Sequence, residues 1–288
     1  MRCHEVSSAT QPIRIKTSDG YCLSGMLFIP PSTAPTRLIV ISAATGVPQQ
    51  FYAAYAQHLS TLGCAVVTYD YRGVGQSRPS SLRGFKASLR DWVNDIGDVI
   101  RYSEEKFPGL SICLLGHSVG GIVSLFAPQA SQVDRIVTVG AQTAYWKDWP
   151  LTHRLQRFAM WHIVFPAATR IAGYFPGRRL RLGEDLPAPF ALEWARSWRH
   201  PDQLTSDLKT ERLRKRECNV IAVGITDDTI GTEKALRRLH DLVPTQRLAY
   251  HWIRPSGHNS KKIGHFDVFR SFHAASLWHE LDDVVVAR

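Results

Sequence analysis

The chain of 288 residues lacks the marks of several protein classes. There is no Cys-x-x-Cys, and its five cysteines (Cys3, Cys22, Cys64, Cys113, Cys218) form an odd set without paired spacing. That argues against a disulfide framework, a zinc site or a redox pair. Cys64, Cys113 and Cys218 fall in or beside apolar strands, where a free thiol packs as a small hydrophobe. None of the twelve histidines stands at His-x-x-His or His-x-x-x-His spacing, so neither a metal nor a cofactor is expected. Long apolar runs are missing too. The longest stretch, Phe158 to Phe175, is interrupted by His162, Pro166 and Arg170 and suits no stable membrane insertion. The start, Met-Arg-Cys-His-Glu, has no apolar core of the signal-peptide kind, so a soluble cytoplasmic protein is expected. The net charge of +10 is scattered and mostly arginine. No compact basic block is interleaved with aromatics, so nucleic acid is not an expected partner. The densest cluster, Arg212 to Arg216, reads as a solvated helix end. Hydrophobic residues at 44% against 21% charged leave an ordered globular domain as the expectation.

What is present is one motif in a telling place. Gly116-His117-Ser118-Val119-Gly120 follows the apolar run Ile112 to Leu115 and opens Gly-Ile-Val-Ser-Leu-Phe-Ala. A serine on a tight turn from buried strand to helix is held in a strained conformation with its hydroxyl exposed, and its glycines permit close backbone approach. The helix behind it favours negative charge at the reacting centre. Ser118 is therefore the candidate nucleophile.

Around it, strands and helices alternate. Pro12 to Thr17 and Cys22 to Phe28 flank a Ser18-Asp19-Gly20 turn. Leu38 to Ile41, Ala65 to Tyr69, Ile112 to Leu115, Arg135 to Val139, Val220 to Gly224 and Leu248 to Ile253 complete eight expected strands. Helical periods cover Phe51 to Leu62, Leu89 to Lys106, Val119 to Ala127, Thr232 to Leu242 and Phe266 to Val285. This implies a mostly parallel sheet with helices on both faces and a ligand at the carboxyl ends of the strands. The rhythm breaks between 141 and 212, a helical stretch holding five of the eight tryptophans (Trp146, Trp149, Trp161, Trp194, Trp198). We read 1–140 and 213–288 as the core and 141–212 as an inserted helical cap. The cap aromatics suit an apolar acyl or alcohol group, or form the cap's own core. Between 141 and 200 nine Lys/Arg stand against four Asp/Glu.

A serine hydroxyl needs a base, and the base an orienting acid. On a strand-turn-helix nucleophile these follow in the order acid, then histidine. Val220 to Gly224 is followed by Ile225-Thr226-Asp227-Asp228. Asp227 is the expected acid and Asp228 the alternative, the spare aspartate serving the turn. After the last strand, His258 and His265 are equally placed as base. His117 adjoins the nucleophile but should face away from it and pack. The oxyanion needs N–H donors. Val119, directly after the nucleophile, offers one, and Ser42-Ala43-Ala44-Thr45-Gly46 offers a second at Thr45 or Ala44. The loop Asp70-Tyr71-Arg72-Gly73-Val74-Gly75-Gln76-Ser77 lacks the third glycine of a dinucleotide loop, with Arg78 in its place. It reads as structural, with a buried Asp–Arg contact.

Taken together these motifs resemble the α/β-hydrolase superfamily, in its branch of monoacylglycerol-lipase-like and prolyl-aminopeptidase-like serine hydrolases. Asp70 to Ser77 resembles that branch's Asp-x-Arg-Gly-x-Gly-x-Ser loop. Ala43 to Tyr52, Gly173 to Gly177, Leu182 to Pro187, Leu192 to Arg196 and Ile263-Gly264-His265-Phe266 resemble a group of bacterial predicted hydrolases of unassigned substrate. The resemblance favours His265 over His258 and implies an α/β-hydrolase fold with a catalytic triad. Asp267 and Pro187 to Phe190 depart from the group's pattern. The expected function is hydrolysis of an ester-like bond, carboxylic ester or thioester, in a small molecule by Ser118, His265 and Asp227 through an acyl-enzyme. An aminopeptidase or amidase would use the same triad, and an aminopeptidase would need cap carboxylates such as Glu184, Asp185 or Glu193 for the substrate amine. A non-catalytic binding protein on this fold is the remaining alternative.

Overall fold

The buried apolar runs become the centre of a sheet. β3 (Arg37–Ser42), β4 (Cys64–Tyr69) and β5 (Ile112–His117) are buried at every residue, as strands covered on both faces must be. Around them lie β1 (Ala9–Lys16), β2 (Cys22–Ile29), β6 (Val133–Val139), β9 (Asn219–Ile225) and β10 (Leu248–Ile253), with the short β7 (Tyr174–Phe175) and β8 (Leu186–Pro187) set apart as a separate pair. The order in the eight-stranded sheet is β1-β2-β4-β3-β5-β6-β9-β10. Within that sheet only the β1–β2 and β2–β4 pairings are antiparallel among the described residues. This computed structural model describes residues 9–128, 131–197, 208, 218–243, 247–258 and 260–287. Cys3, Trp198, the cluster Arg212 to Arg216 and the expected end of the cap at 212 lie outside the described residues.

The helices flank the sheet: α1 (Ala53–Thr61), α2 (Leu89–Lys106), α3 (Val119–Leu125), α8 (Glu233–Asp241) and α9 (Trp278–Val285). The start of α2 is set by a capping box, Ser88 and Asp91 each bonding the other's backbone N–H. Between β6 and β9 the chain forms α4 (Leu151–Ala159), α5 (Phe165–Ala172), α6 (Gly177–Leu180) and α7 (Ala188–Ser197). A π turn, Met160–Val164, joins α4 to α5.

One expectation needs correction. The helix expected from Phe266 is regular only from Trp278; before it come 3₁₀ turns at Asp267–Phe269 and Ser271–His273, with Arg270 extended between them. Packing overrides the helical period here. Phe269 sits edge-on to Tyr52 and Tyr55, and the Trp278 indole N–H reaches back to the Val268 carbonyl at 3.0 Å. The loop after β4 has the buried Asp–Arg contact expected of it. Its buried arginine contact is made by Asp95, which accepts from Arg72 Nε at 2.9 Å, and by Asp19. Asp70 instead accepts the backbone N–H groups of Gln49 and Gln76, both at 2.8 Å.

What the sheet does for function is to align strand ends. Ser42 pairs with Gly116. Beyond the register, Ser118 N–H donates to Val139, Gly140 N–H to Val223 and Thr226 N–H to Ile253. The carboxyl ends of β3, β5, β6, β9 and β10 are thereby tied side by side.

Candidate active site

Ser118 alone makes the turn between β5 and α3. It does so at φ 55° and ψ −118°, a left-handed conformation that costs a non-glycine residue about 1–3 kcal/mol. Bonds on either side hold it there: its N–H donates to Val139 O and its carbonyl accepts from Gly121 N–H, both at 2.9 Å. Its hydroxyl does not cap α3. Gly120 has no room for a Cβ, which would strike the main-chain oxygens of Ser42 and Ala43. That contact sets the Ala43-Ala44-Thr45 loop against the nucleophile turn.

The same loop separates the two candidate oxyanion donors. Ala44 N–H is taken by the Tyr52 hydroxyl at 2.9 Å. Among the described residues, the N–H groups of Thr45 and Val119 have no acceptor, and the Thr45 hydroxyl is buried without a partner. Thr45 and Val119 keep their donors; Ala44 does not.

His265 is paired with Asp228 rather than with the expected Asp227. His265 Nδ1 donates to Asp228 Oδ2 at 2.6 Å, with both side chains almost fully buried. Burial pushes the Asp228 carboxyl up, but the facing imidazole and the N–H groups of Ile230 and Gly231 outweigh it and hold it below the ordinary range. Asp227 points elsewhere and accepts the backbone N–H groups of Ile263 and Gly264, each at 2.9 Å. The reason is local. Asp228 N–H closes a turn onto Ile225 O at 3.0 Å, which sends adjacent side chains in different directions. One aspartate holds the ring of His265 and its neighbour holds the backbone leading to it. Gly140, at φ 59°, leaves room for the pair; a Cβ there would press on both Asp228 and His265.

His258 is committed to other partners. Its Nδ1 donates to Ser276 O at 2.7 Å and its Nε2 lies 2.5 Å from Glu280. His117 is buried as expected, but its contacts go beyond packing. Its Nδ1 is 2.8 Å from the Tyr52 hydroxyl and its Nε2 2.8 Å from the main-chain oxygen of His265. Burial, with His265 nearby, pushes its pKa down to about 3, so the ring is neutral. Sequence reasoning missed Tyr52 because a tyrosine at helical period reads as core; only its place at the end of the Ala43 to Tyr52 motif marked it.

Ser118, Thr45 and His265 open on one cavity of about 710 Å³. Ser118 Oγ makes no hydrogen bond to His265 among the described residues, and such contacts often tighten only around bound substrate. The far wall is apolar and comes from the stretch between β6 and β9: Met160, Trp161, Phe165, Phe175, Leu186 and Trp194. Trp149, Trp161 and Trp194 thus face the cavity while also packing on their neighbours. Among the described lining residues are two arginines, Arg157 and Arg181, and no carboxylate. The three carboxylates an amine site would need are engaged elsewhere. Glu184 accepts from Arg178 at 2.9 Å, Asp185 from Arg78 at 2.5 Å and Glu193 from Leu89 N–H at 2.9 Å. No helix among the described residues is long and apolar enough to cross a membrane.

The profile of the family described as serine aminopeptidase, S33, matches residues 33–206. A monoglyceride lipase homolog of monkeypox virus is 32% identical over 100 residues, 34% of each chain. The rat (Rattus norvegicus) monoglyceride lipase is 32% identical over 99 residues, 34% of this chain and 31% of that one. The matched stretch therefore spans about a third of these curated relatives. In structure, a soluble variant of monoglyceride lipase from Saccharomyces cerevisiae, in complex with a substrate analog, superposes with a TM-score of 0.68 at 16% identity over 99% of both chains. With more than half of its length matched, a mostly parallel eight-stranded sheet and a serine on the turn after β5, the chain belongs to the S33 family of α/β hydrolases.

Proposed function

We propose that the protein is a serine hydrolase that cleaves an ester-type bond by acyl transfer. One observation carries the reading: a strained serine with an uncommitted hydroxyl shares a cavity with a histidine whose Nδ1 is held by a buried aspartate. Because Nδ1 keeps its proton for Asp228, Nε2 is the basic nitrogen of His265. Ser118 Oγ attacks the ester carbonyl as Nε2 takes its proton. The N–H groups of Val119 and Thr45 receive the oxyanion, where each donor is worth roughly 10²–10³ in rate. On collapse the alcohol leaves with the proton from Nε2. Water, deprotonated by the same nitrogen, then attacks the acyl-enzyme and frees the acid and Ser118. Residues 141–212 act as a cap whose apolar wall takes a hydrocarbon group.

Aminopeptidase chemistry, which the family's name suggests, calls for a carboxylate to hold the substrate amine. This cavity offers cations and aromatics instead, which favours an ester, as in the monoglyceride lipases among its relatives.

Labelling with a fluorophosphonate tests the reading. The wild type and His258→Ala should label, while Ser118→Ala and His265→Ala should not. Labelling that survives Ser118→Ala, or none in a folded wild type, would discard it.

A further inference from the structure

The cavity contains a cation that no described carboxylate neutralises. Arg157 on α4 is half-buried, with its guanidinium carbon 4.8 Å from the centre of the Trp149 ring. Among the described residues its guanidinium makes one hydrogen bond, a long one of 3.3 Å from Nη2 to the neutral hydroxyl of Thr229. Four other shielded arginines are paired with carboxylates, Arg37 with Asp134, Arg72 with Asp19 and Asp95, Arg78 with Asp185 and Arg238 with Asp148, while the buried Arg135, which lies outside this cavity, donates to the Val284 carbonyl at 3.0 Å. Arg157 has no such pair among the described residues. Burial lowers its pKa, and the nearby Asp228 pulls the other way. Arg181, just past α6, lines the same cavity at φ 58°, again with no ion pair among the described residues.

A guanidinium held partly out of water is costly unless a partner compensates it. Its planar fork fits a carboxylate through two parallel N–H···O bonds, and stacking on Trp149 restricts the fork against the cavity wall. We propose that the substrate is an ester carrying a carboxylate of its own, bound by Arg157 while the aromatic wall takes the intervening hydrocarbon. This rests on the hydrolase reading above for the reaction, though not for the binding. If Arg157 served only to bias the neighbouring Asp228–His265 pair, its loss would slow charged and neutral esters alike.

The test uses two acyl chains of equal length, mono-p-nitrophenyl adipate and p-nitrophenyl hexanoate, on wild type, Arg157→Gln and Arg157→Lys. The wild type should prefer the adipate. Arg157→Gln should lose about 10–100-fold in kcat/KM on it, the range expected for bonds to a charged group, carried mainly by KM. The hexanoate should change less than about threefold on the same scale, and Arg157→Lys should recover part of the adipate loss. Equal losses on both esters, or a wild-type preference for hexanoate, overturn the proposal. Binding separates the two readings. In Ser118→Ala protein, monomethyl adipate should bind more weakly by roughly tenfold once Arg157→Gln is added, and methyl hexanoate should not respond. If that dependence holds while the wild type turns over neither nitrophenyl ester, the anion site stands and the hydrolase reading falls. If turnover needs Ser118 but binding and selectivity ignore Arg157, the anion site alone falls.

Discussion

His117 donates its Nε2 proton to the main-chain oxygen of His265, 2.8 Å away. A carbonyl can only accept, so in the neutral ring Nδ1 must be the acceptor. The Tyr52 hydroxyl therefore donates to Nδ1 and accepts from Ala44 N–H. The chain Ala44–Tyr52–His117–His265 ties the Ala43-Ala44-Thr45 loop to the backbone of His265 in one ordering of protons. Removing the Tyr52 hydroxyl orphans two buried groups, at about 1–3 kcal/mol each. Tyr52→Phe should thus lower stability by about 2–4 kcal/mol and cut kcat more than it raises KM. Urea unfolding and steady-state kinetics check this; an unchanged kcat would reduce the chain to ordinary packing.

The two adjacent aspartates should separate cleanly. Asp228→Asn reverses the hydrogen-bond preference at His265 Nδ1 and should cost about 10³–10⁴ in kcat, the order seen when a triad acid is replaced by its amide. Asp227→Asn touches only the backbone of Ile263 and Gly264, and roughly a tenfold loss is expected. Equal losses in the two variants would contradict these separate roles.

Strain at Ser118 has a measurable sign. Ser118→Gly relieves the left-handed conformation, while Ser118→Ala keeps it; both remove the nucleophile. Allowing for the greater chain entropy of unfolded glycine, Ser118→Gly should be the more stable of the two by about 1 kcal/mol. Thermal melts of the inactive pair decide, and a glycine variant less stable than the alanine one would deny the strain.

Acid should weaken the fold through two buried neutral histidines. Burial depresses His117 to about 3 and His240 to about 4. Below the unfolded value near 6.5, the unfolded chain binds protons that the folded chain refuses, so stability is lost as pH falls from about 6.5 toward those values. From pH 7 to pH 5 each histidine should remove about 2 kcal/mol. Urea midpoints across that range should fall for the wild type and fall less for His240→Gln; parallel slopes would refute the assignment.

The sheet was legible because β3, β4 and β5 are buried on both faces and so read as unbroken apolar runs. Ser118 was legible as a candidate nucleophile because its motif sits between such a run and a helix. The partner of His265 was harder. Asp227 and Asp228 share one turn and both bond to the His265 loop, so chain position cannot distinguish the ring's partner from the backbone's. A clue lay in Asp228-Thr229-Ile230, an Asx turn in which the carboxylate accepts the N–H two residues on. The stretch after His265 misled because Phe269 is held by an aromatic cluster from distant parts of the chain. Arg157 was hidden in a general excess of arginines between 141 and 200 until its place in the cavity without an ion pair among the described residues became visible.

The register of the central strands has an evolutionary consequence. Ser118 and Asp228 follow strand termini that are cross-linked to one another, whereas most of the cavity's aromatic wall and both its arginines belong to a stretch the chain builds after leaving β6 and before re-entering at β9. On the hydrolase reading proposed above, recognition and chemistry thus belong to separate parts of the polypeptide. Transplanting that stretch from one relative to another should carry substrate preference with it and leave the hydrolytic machinery in place.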